Sequence, residues 1–77
     1  MDKKEILSIM SCSEGKRVEL IDAKKKEIKG TVFLFESRYD NEDDEDCPGD
    51  ASICVECDNK AVCMLYESDI ESITVVG

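Results

Sequence analysis

The sequence predicts a mainly β domain, five short strands preceded by one short helix. Three observations carry that expectation. Apolar residues alternate with polar ones in five separate runs, the period of a strand with one buried face. A single stretch at the N-terminus spaces its apolar residues as a helix does instead. Seventy-seven residues make one domain, so residues 1–77 are read as a single unit. Its core is small, because a chain of this length buries only about 60% of its unfolded surface.

Residues 2–11 form the expected helix. Asp2 is placed to cap it, and Glu5 follows three positions later, as in a capping box. Ile6, Leu7, Ile9 and Met10 make an apolar stripe. A helix this short is not stable alone, so the stripe must dock on the open end of a sheet. Gly15 breaks the chain. Residues 16–22 read as a strand with Val18 and Leu20 on one face and Glu19 on the other, and residues 23–27 as a lysine-rich turn. In the long strand 28–39, Ile28, Gly30, Val32 and Leu34 share one face, and Thr31, Phe33 and Phe35 the other. Both faces are partly apolar, which predicts a bend, and Gly30 permits one. Residues 40–50 are a loop in which seven of eleven residues are acidic, and Pro48-Gly49 fits the centre of a type II turn. Residues 51–57 and 61–66 form a hairpin around Asp58-Asn59-Lys60, with Asn59 as the residue that tolerates positive φ. Ile53, Val55 and Cys57 face the core, as do Val62, Met64 and Tyr66 on the return strand. After a short turn at 67–69, residues 70–76 make the last strand, with Ile73 and Val75 turned inward.

The segments Gly15-Lys-Arg-Val-Glu-Leu-Ile-Asp22, Gly30-Thr-Val-Phe33 and Tyr66-Glu-Ser-Asp-Ile-Glu-Ser-Ile73, taken in that order, resemble the Sm-like and SH3-like small barrels. In those folds five bent strands close around a small core and an N-terminal helix often caps one end. The resemblance implies a five-stranded Sm/SH3-like barrel over residues 16–76, with the helix over about 2–11. It implies no activity by itself. RNA-binding Sm-like proteins resemble one another in an Asp-x-x-Met-Asn-type loop and a late Arg-Gly or Lys-His pair. This chain has neither, and carries Glu67-Ser68-Asp69 at the late position.

Charge narrows the function further. Residues 1–39 hold 9 Lys+Arg against 7 Asp+Glu, whereas residues 40–77 hold 1 Lys against 12 Asp+Glu, a net of −11 within a chain of −9. Such a surface repels phosphate backbones, so no direct nucleic acid is expected, and a basic protein surface is the favoured partner. The acids Asp40, Glu42, Asp43, Asp44, Glu45, Asp46 and Asp50 are the expected partner-binding set. The plainer reading of the same loop is a solvated, solubilising segment. The EF-hand pattern is absent from it. With no histidine in the chain and no glycine-rich phosphate loop, the sequence lacks the usual general base near neutral pH and the Cys–His and Ser–His pairs, and the chain is read as non-enzymatic.

Two smaller groups remain. Lys24, Lys25 and Lys26, with Lys29 beyond them, form a basic patch that fits a phosphate or nucleotide, or else a solvated hairpin tip. Cys47, Cys54, Cys57 and Cys63 are spaced C-x6-C-x2-C-x5-C, a thiol set that zinc can use. Strand alternation argues against it, since Cys54 and Cys57 then point to opposite faces. A two-residue turn at Asp58-Asn59 would instead make Cys54 and Cys63 neighbours across the hairpin, able to oxidise or to share a soft metal. Five cysteines, an odd number, with no apolar leader at the N-terminus read as reduced thiols in a cytoplasmic protein, and no membrane span is expected. Three functions are therefore on the table. The first is an acidic interaction module for a basic protein, in its specific form a phage or mobile-element inhibitor of a nucleic-acid-binding host defence protein. The second is a small-ligand or nucleotide-binding oligomer of the Sm-like kind. The third is a zinc-stapled structural domain. Sheet edges on so small a fold also suit a homo-oligomer.

Overall fold

The computed structural model describes residues 1–38 and 49–76. Over these the chain runs as α1 (Lys3–Ser11), β1 (Arg17–Asp22), β2 (Glu27–Glu36), β3 (Ser52–Cys57), β4 (Val62–Tyr66), a single 3-10 turn (Glu67–Asp69) and β5 (Ile70–Val75). The strands form one antiparallel sheet in the order β4-β3-β2-β1-β5. The protein is thus mainly β with one short N-terminal helix. The sheet is open, with β4 and β5 as its two edges.

The helix begins where expected. The Asp2 side chain accepts a hydrogen bond from the Lys4 N–H and so satisfies one of the orphan donors of the first turn. Ile6 and Met10, one turn apart, are fully buried, while Leu7 and Ile9 pack beside them. This stripe docks on β5 and the 3-10 turn. At the helix end Ser13 is buried, and its hydroxyl donates to the Met10 carbonyl at 2.7 Å.

One face of the sheet makes the core. Val18 and Leu20 of β1, Ile28 and Val32 of β2, Ile53 and Val55 of β3, Leu65 of β4 and Ile70 and Ile73 of β5 close it together with Ala51 and the helix. Gly30 belongs to this face for a different reason from the predicted bend. A Cβ there would lie 2.2 Å from the Glu56 carbonyl oxygen and 2.8 Å from the Cys57 Cα, so β2 and β3 can approach only over a glycine. The irregularity in β2 falls at Phe33 instead. Val32 pairs with Val55 and Leu34 with Cys54, which leaves Phe33 as an extra residue. Such a bulge shifts the alternation by one. Leu34, expected to share a face with Val32, is therefore on the opposite one, and Phe35 turns toward Ile53 and the core.

Both hairpins use the same turn. In the first, Asp22 N–H donates to the Lys26 carbonyl, Lys25 N–H donates to the Asp22 carbonyl, and Lys25 has φ 68°. In the second, Cys57 N–H donates to the Ala61 carbonyl, Lys60 N–H donates to the Cys57 carbonyl, and Lys60 has φ 73°. These are three-residue loops ending on a left-handed residue. The left-handed position is Lys60 rather than Asn59, and the loop is one residue longer than a two-residue turn. That single residue moves β4 by one register, which exchanges its two faces. Cys63 and Leu65 point inward, while Val62 and Met64, expected in the core, point out. Gly49 has the positive φ (87°) that its turn position requires, and Pro48 lies outside the described residues.

Candidate functional site

Of the predicted acidic set, Asp50 lies among the described residues, and its charge reinforces that of the Arg38 guanidinium. Asp40, Glu42, Asp43, Asp44, Glu45 and Asp46 lie outside them. Beside Asp50 sits a half-buried ion pair, its Arg38 side chain 55% exposed. Glu67 is 4% exposed, and its two oxygens accept from Arg38 Nε at 2.8 Å and Nη2 at 2.7 Å. One of them also accepts from the Ala51 N–H at 2.9 Å. The guanidinium holds the Glu67 carboxyl below its ordinary value of 4.5, against the upward push of burial. This pair ties the end of the β2 region to the β4–β5 corner, and among the described residues no buried side-chain nitrogen or oxygen lacks a partner.

The outer face of the sheet divides into two halves of opposite chemistry. Over β1 and the first half of β2 it is mainly charged, with Ile21 (38% exposed) as the apolar exception. Lys29 Nζ lies 3.0 Å from Glu27 and 3.5 Å from Glu19. Arg17 grips Asp58 with both terminal nitrogens, at 2.7 and 2.6 Å. Over β3, β4 and the bulge it is apolar. Phe33 (51% exposed), Leu34 (39%), Val62 (63%) and Met64 (48%) lie there. Leu34, Cys54 and Met64 stand in one row across three strands, because Leu34 pairs with Cys54 and Cys54 with Met64. Glu56 and Glu36 flank the row, Glu56 opposite Val62 and Glu36 close enough to raise the Cys54 thiol further after burial has done most of that work.

Among the described residues this apolar half ends on β4, an edge strand whose one partner is β3. Cys57 N–H donates to Ala61 and Glu67 N–H donates to Ala51 across the two ends of the β3–β4 ladder. Antiparallel alternation then directs the backbone groups of Cys63 and Leu65 at β3, and those of Val62, Met64 and Tyr66 off the edge. The Tyr66 N–H is taken by the Asp69 carboxylate at 3.1 Å. Val62 and Met64 thus combine an exposed apolar side chain with outward backbone groups, the arrangement that invites a further strand.

On the opposite face, the remaining groups singled out in the sequence converge. A cleft of about 340 Å³ opens between the two hairpin turns, lined in part by Lys26, Ile28, Cys57, Asp58, Ala61 and Cys63. Inside it the Cys57 and Cys63 sulfurs are 3.4 Å apart. Burial raises the Cys57 thiol first, and the neighbouring Cys63 adds to it; Lys26 pulls the other way. Cys54 is on the outer face and pairs with Met64, so the expected Cys54–Cys63 pair does not form. Cys47 lies outside the described residues. The lysine set is likewise divided. Lys25 is ion-paired with Glu71, Lys26 faces the thiol cleft, and the backbone N–H groups of Lys24 and Lys26 both donate to the Asp22 carboxylate. The thiol pair and the apolar row were not legible in the sequence because both depend on the turn length and the bulge.

No helix among the described residues is long and apolar enough to cross a membrane. Comparison of the chain with models of known families, with proteins of assigned function and with solved structures gives no match.

Proposed function

We propose that this chain is a non-catalytic binding module that takes a basic protein partner along the outer β3–β4 edge. The observation that carries the reading is the row Leu34, Cys54 and Met64, with Phe33 and Val62 beside it, at least partly exposed next to a strand that is an edge among the described residues, in a chain of net charge −9. An exposed apolar row at a sheet edge needs a reason, since folded chains protect such edges. An extended segment that alternates apolar side chains with Lys or Arg satisfies all of it. Its backbone continues the ladder at Val62 and Met64, its apolar side chains cover the row, and its cations meet Glu36 and Glu56, while the net charge of the chain, to which the acids of residues 40–50 contribute, speeds encounter. Proteins that bind nucleic acid through Lys- and Arg-rich surfaces are the partner class with this chemistry. Occupation of such a surface would block it, which is the inhibitor reading of the sequence. The five-strand order with its leading helix supports an Sm/SH3-like scaffold for the module.

The test is binding of a synthetic peptide alternating Leu and Arg, against the same peptide with Glu in place of Arg. The wild type binds the Arg peptide, more weakly as salt rises, because part of the attraction is screened. The variant Val62→Lys/Met64→Lys loses that binding. Replacing the acids at 40–46 and Asp50 with Asn and Gln slows association and flattens the salt dependence. Equal affinity for both peptides, or undiminished binding by the double lysine variant, overturns the proposal.

A further inference from the structure

The thiol cleft stands apart from the outer edge and has no part in the binding just proposed. Cys57 and Cys63 lie on the inner face of the β3–β4 hairpin, near its turn, with their sulfurs 3.4 Å apart and open to a cleft of about 340 Å³. Two outcomes are chemically available to two thiols so placed, a disulfide or a shared cation, and geometry separates them. Cys57 sits opposite Ala61 in the hairpin and Cys63 opposite Val55, so the two cysteines are diagonal neighbours. Diagonal positions of an antiparallel pair stand about 7–8 Å apart, with side chains still within reach. A disulfide needs Cα atoms within about 4.4–6.8 Å and sulfurs at about 2.05 Å. A bridging cation relaxes both demands. A linear bis-thiolate centre with metal–sulfur bonds of about 2.3 Å holds its sulfurs about 4.6 Å apart, so metal entry has to open the 3.4 Å pair, whereas a disulfide has to close it against the wide spacing of diagonal positions.

We propose that Cys57 and Cys63 form a two-thiolate site for a soft, thiophilic cation, with copper(I) as the first choice. Copper(I) is favoured because the described residues bring only these two sulfurs together. No group of three or more potential metal ligands converges among them. The carboxylates at the cleft are otherwise engaged, Asp58 with Arg17 and Glu27 with Lys29. A structural zinc site requires four ligands. Soft sulfur donors select copper(I) over hard cations, and two thiolates are a complete set for a linear copper(I) centre. The step is a ligand exchange without electron transfer. Each thiol releases its proton to solvent, two sulfur–copper bonds form, and one copper(I) becomes a bis-thiolate carrying a net charge of −1. Lys26, at the lip of the cleft, lies where its cation offsets that charge.

The experiment is native mass spectrometry of the reduced protein after anaerobic addition of copper(I), with magnesium as the hard-cation control. The expected result is one copper per chain and no magnesium. A variant that keeps only Cys57 and Cys63 (Cys12→Ser, Cys47→Ser, Cys54→Ser) retains the copper, and the further change Cys63→Ser removes it. A second readout needs no variant. Copper(I) on the wild type protects Cys57 and Cys63 from alkylation while Cys12, exposed at the helix end, is still modified. A three-serine variant that binds no copper, binding that survives loss of Cys63, or alkylation of Cys57 and Cys63 undiminished by copper overturns the proposal.

Discussion

The two hairpins of this protein share a turn and differ in everything their outer faces offer to solvent. Each closes with a three-residue loop whose last residue, Lys25 or Lys60, takes a left-handed conformation. Each turns an apolar inner face to the same core. Outside, β1–β2 carries Glu19, Glu27 and Lys29 in mutual ion pairs, whereas β3–β4 carries Cys54, Val62 and Met64 in an apolar row that Phe33 and Leu34 extend. One half has settled its outer surface with its own side chains. The other leaves Phe33, Leu34, Val62 and Met64 exposed to solvent. The turns are alike, but β1 is paired on both sides whereas β4 is an edge strand, and the β2 bulge brings Phe33 and Leu34 to the β3–β4 side; position in the sheet and side-chain chemistry together are why the outer β3–β4 face is read as functional.

The inner face is common to both halves, and breaking it gives the largest effect. Ile53→Ala, at a fully buried position of β3, is expected to lower stability by about 2–5 kcal/mol, a large share of the total for a domain this small. Chemical denaturation measures it, and Leu20→Ala in β1 is expected to fall in the same range. A difference confined to one hairpin would mean that the two do not share one core.

Next comes the ion pair at the base of the apolar half. Glu67→Gln removes the charge-assisted bonds from Arg38, at an expected cost of about 1.5–3 kcal/mol. Its pH dependence has a definite sign. Because the folded-state value of Glu67 lies below the ordinary 4.5, its contribution is complete above 4.5 and is lost as the pH falls through the lower folded value. Denaturation midpoints of wild type and Glu67→Gln should therefore differ at neutral pH and converge in acid. A constant difference across that range would contradict the assignment.

Changes on the outer faces sharpen the contrast at small energetic effect. Val62→Lys and Met64→Lys are expected to alter stability by no more than about 0.5 kcal/mol, since both side chains are already exposed, while removing partner binding. On the charged half, Lys29→Ala is expected to give the smallest change of all, one that vanishes with added salt, and to leave partner binding intact. Comparing the two in one binding assay sets the halves side by side.

How much of this was legible in the sequence follows from which signals are local. Asp2 caps the helix and the five strands lie where the alternation placed them, because capping and period-2 patterning are properties of adjacent residues. The faces of β4 were misread, and the irregularity expected in β2 was placed at Gly30 rather than at Phe33, because each depends on one inserted residue. Lys60 in a left-handed conformation lengthens the second turn, and lysine carries no turn signature; Phe33 bulges from β2, and a phenylalanine inside an apolar run looks like any core residue. A hint was available in the first hairpin. There the Asp22 carboxylate, just before the loop, accepts the Lys24 and Lys26 N–H groups, a local bond of the kind Asp makes at turns. Given the correct turn, the Cys57–Cys63 pair and the exposed Met64 follow from counting.

The central claim is that the outer β3–β4 face is a binding surface and the outer β1–β2 face is not. Titration of isotope-labelled protein with the peptide alternating Leu and Arg, followed by amide chemical shifts, tests it most directly. The account predicts shifts that cluster on Phe33, Leu34, Cys54, Val62 and Met64 and leave Glu19 and Lys29 unmoved. Shifts centred on Glu19, Glu27 and Lys29, or none at saturating peptide, would contradict it.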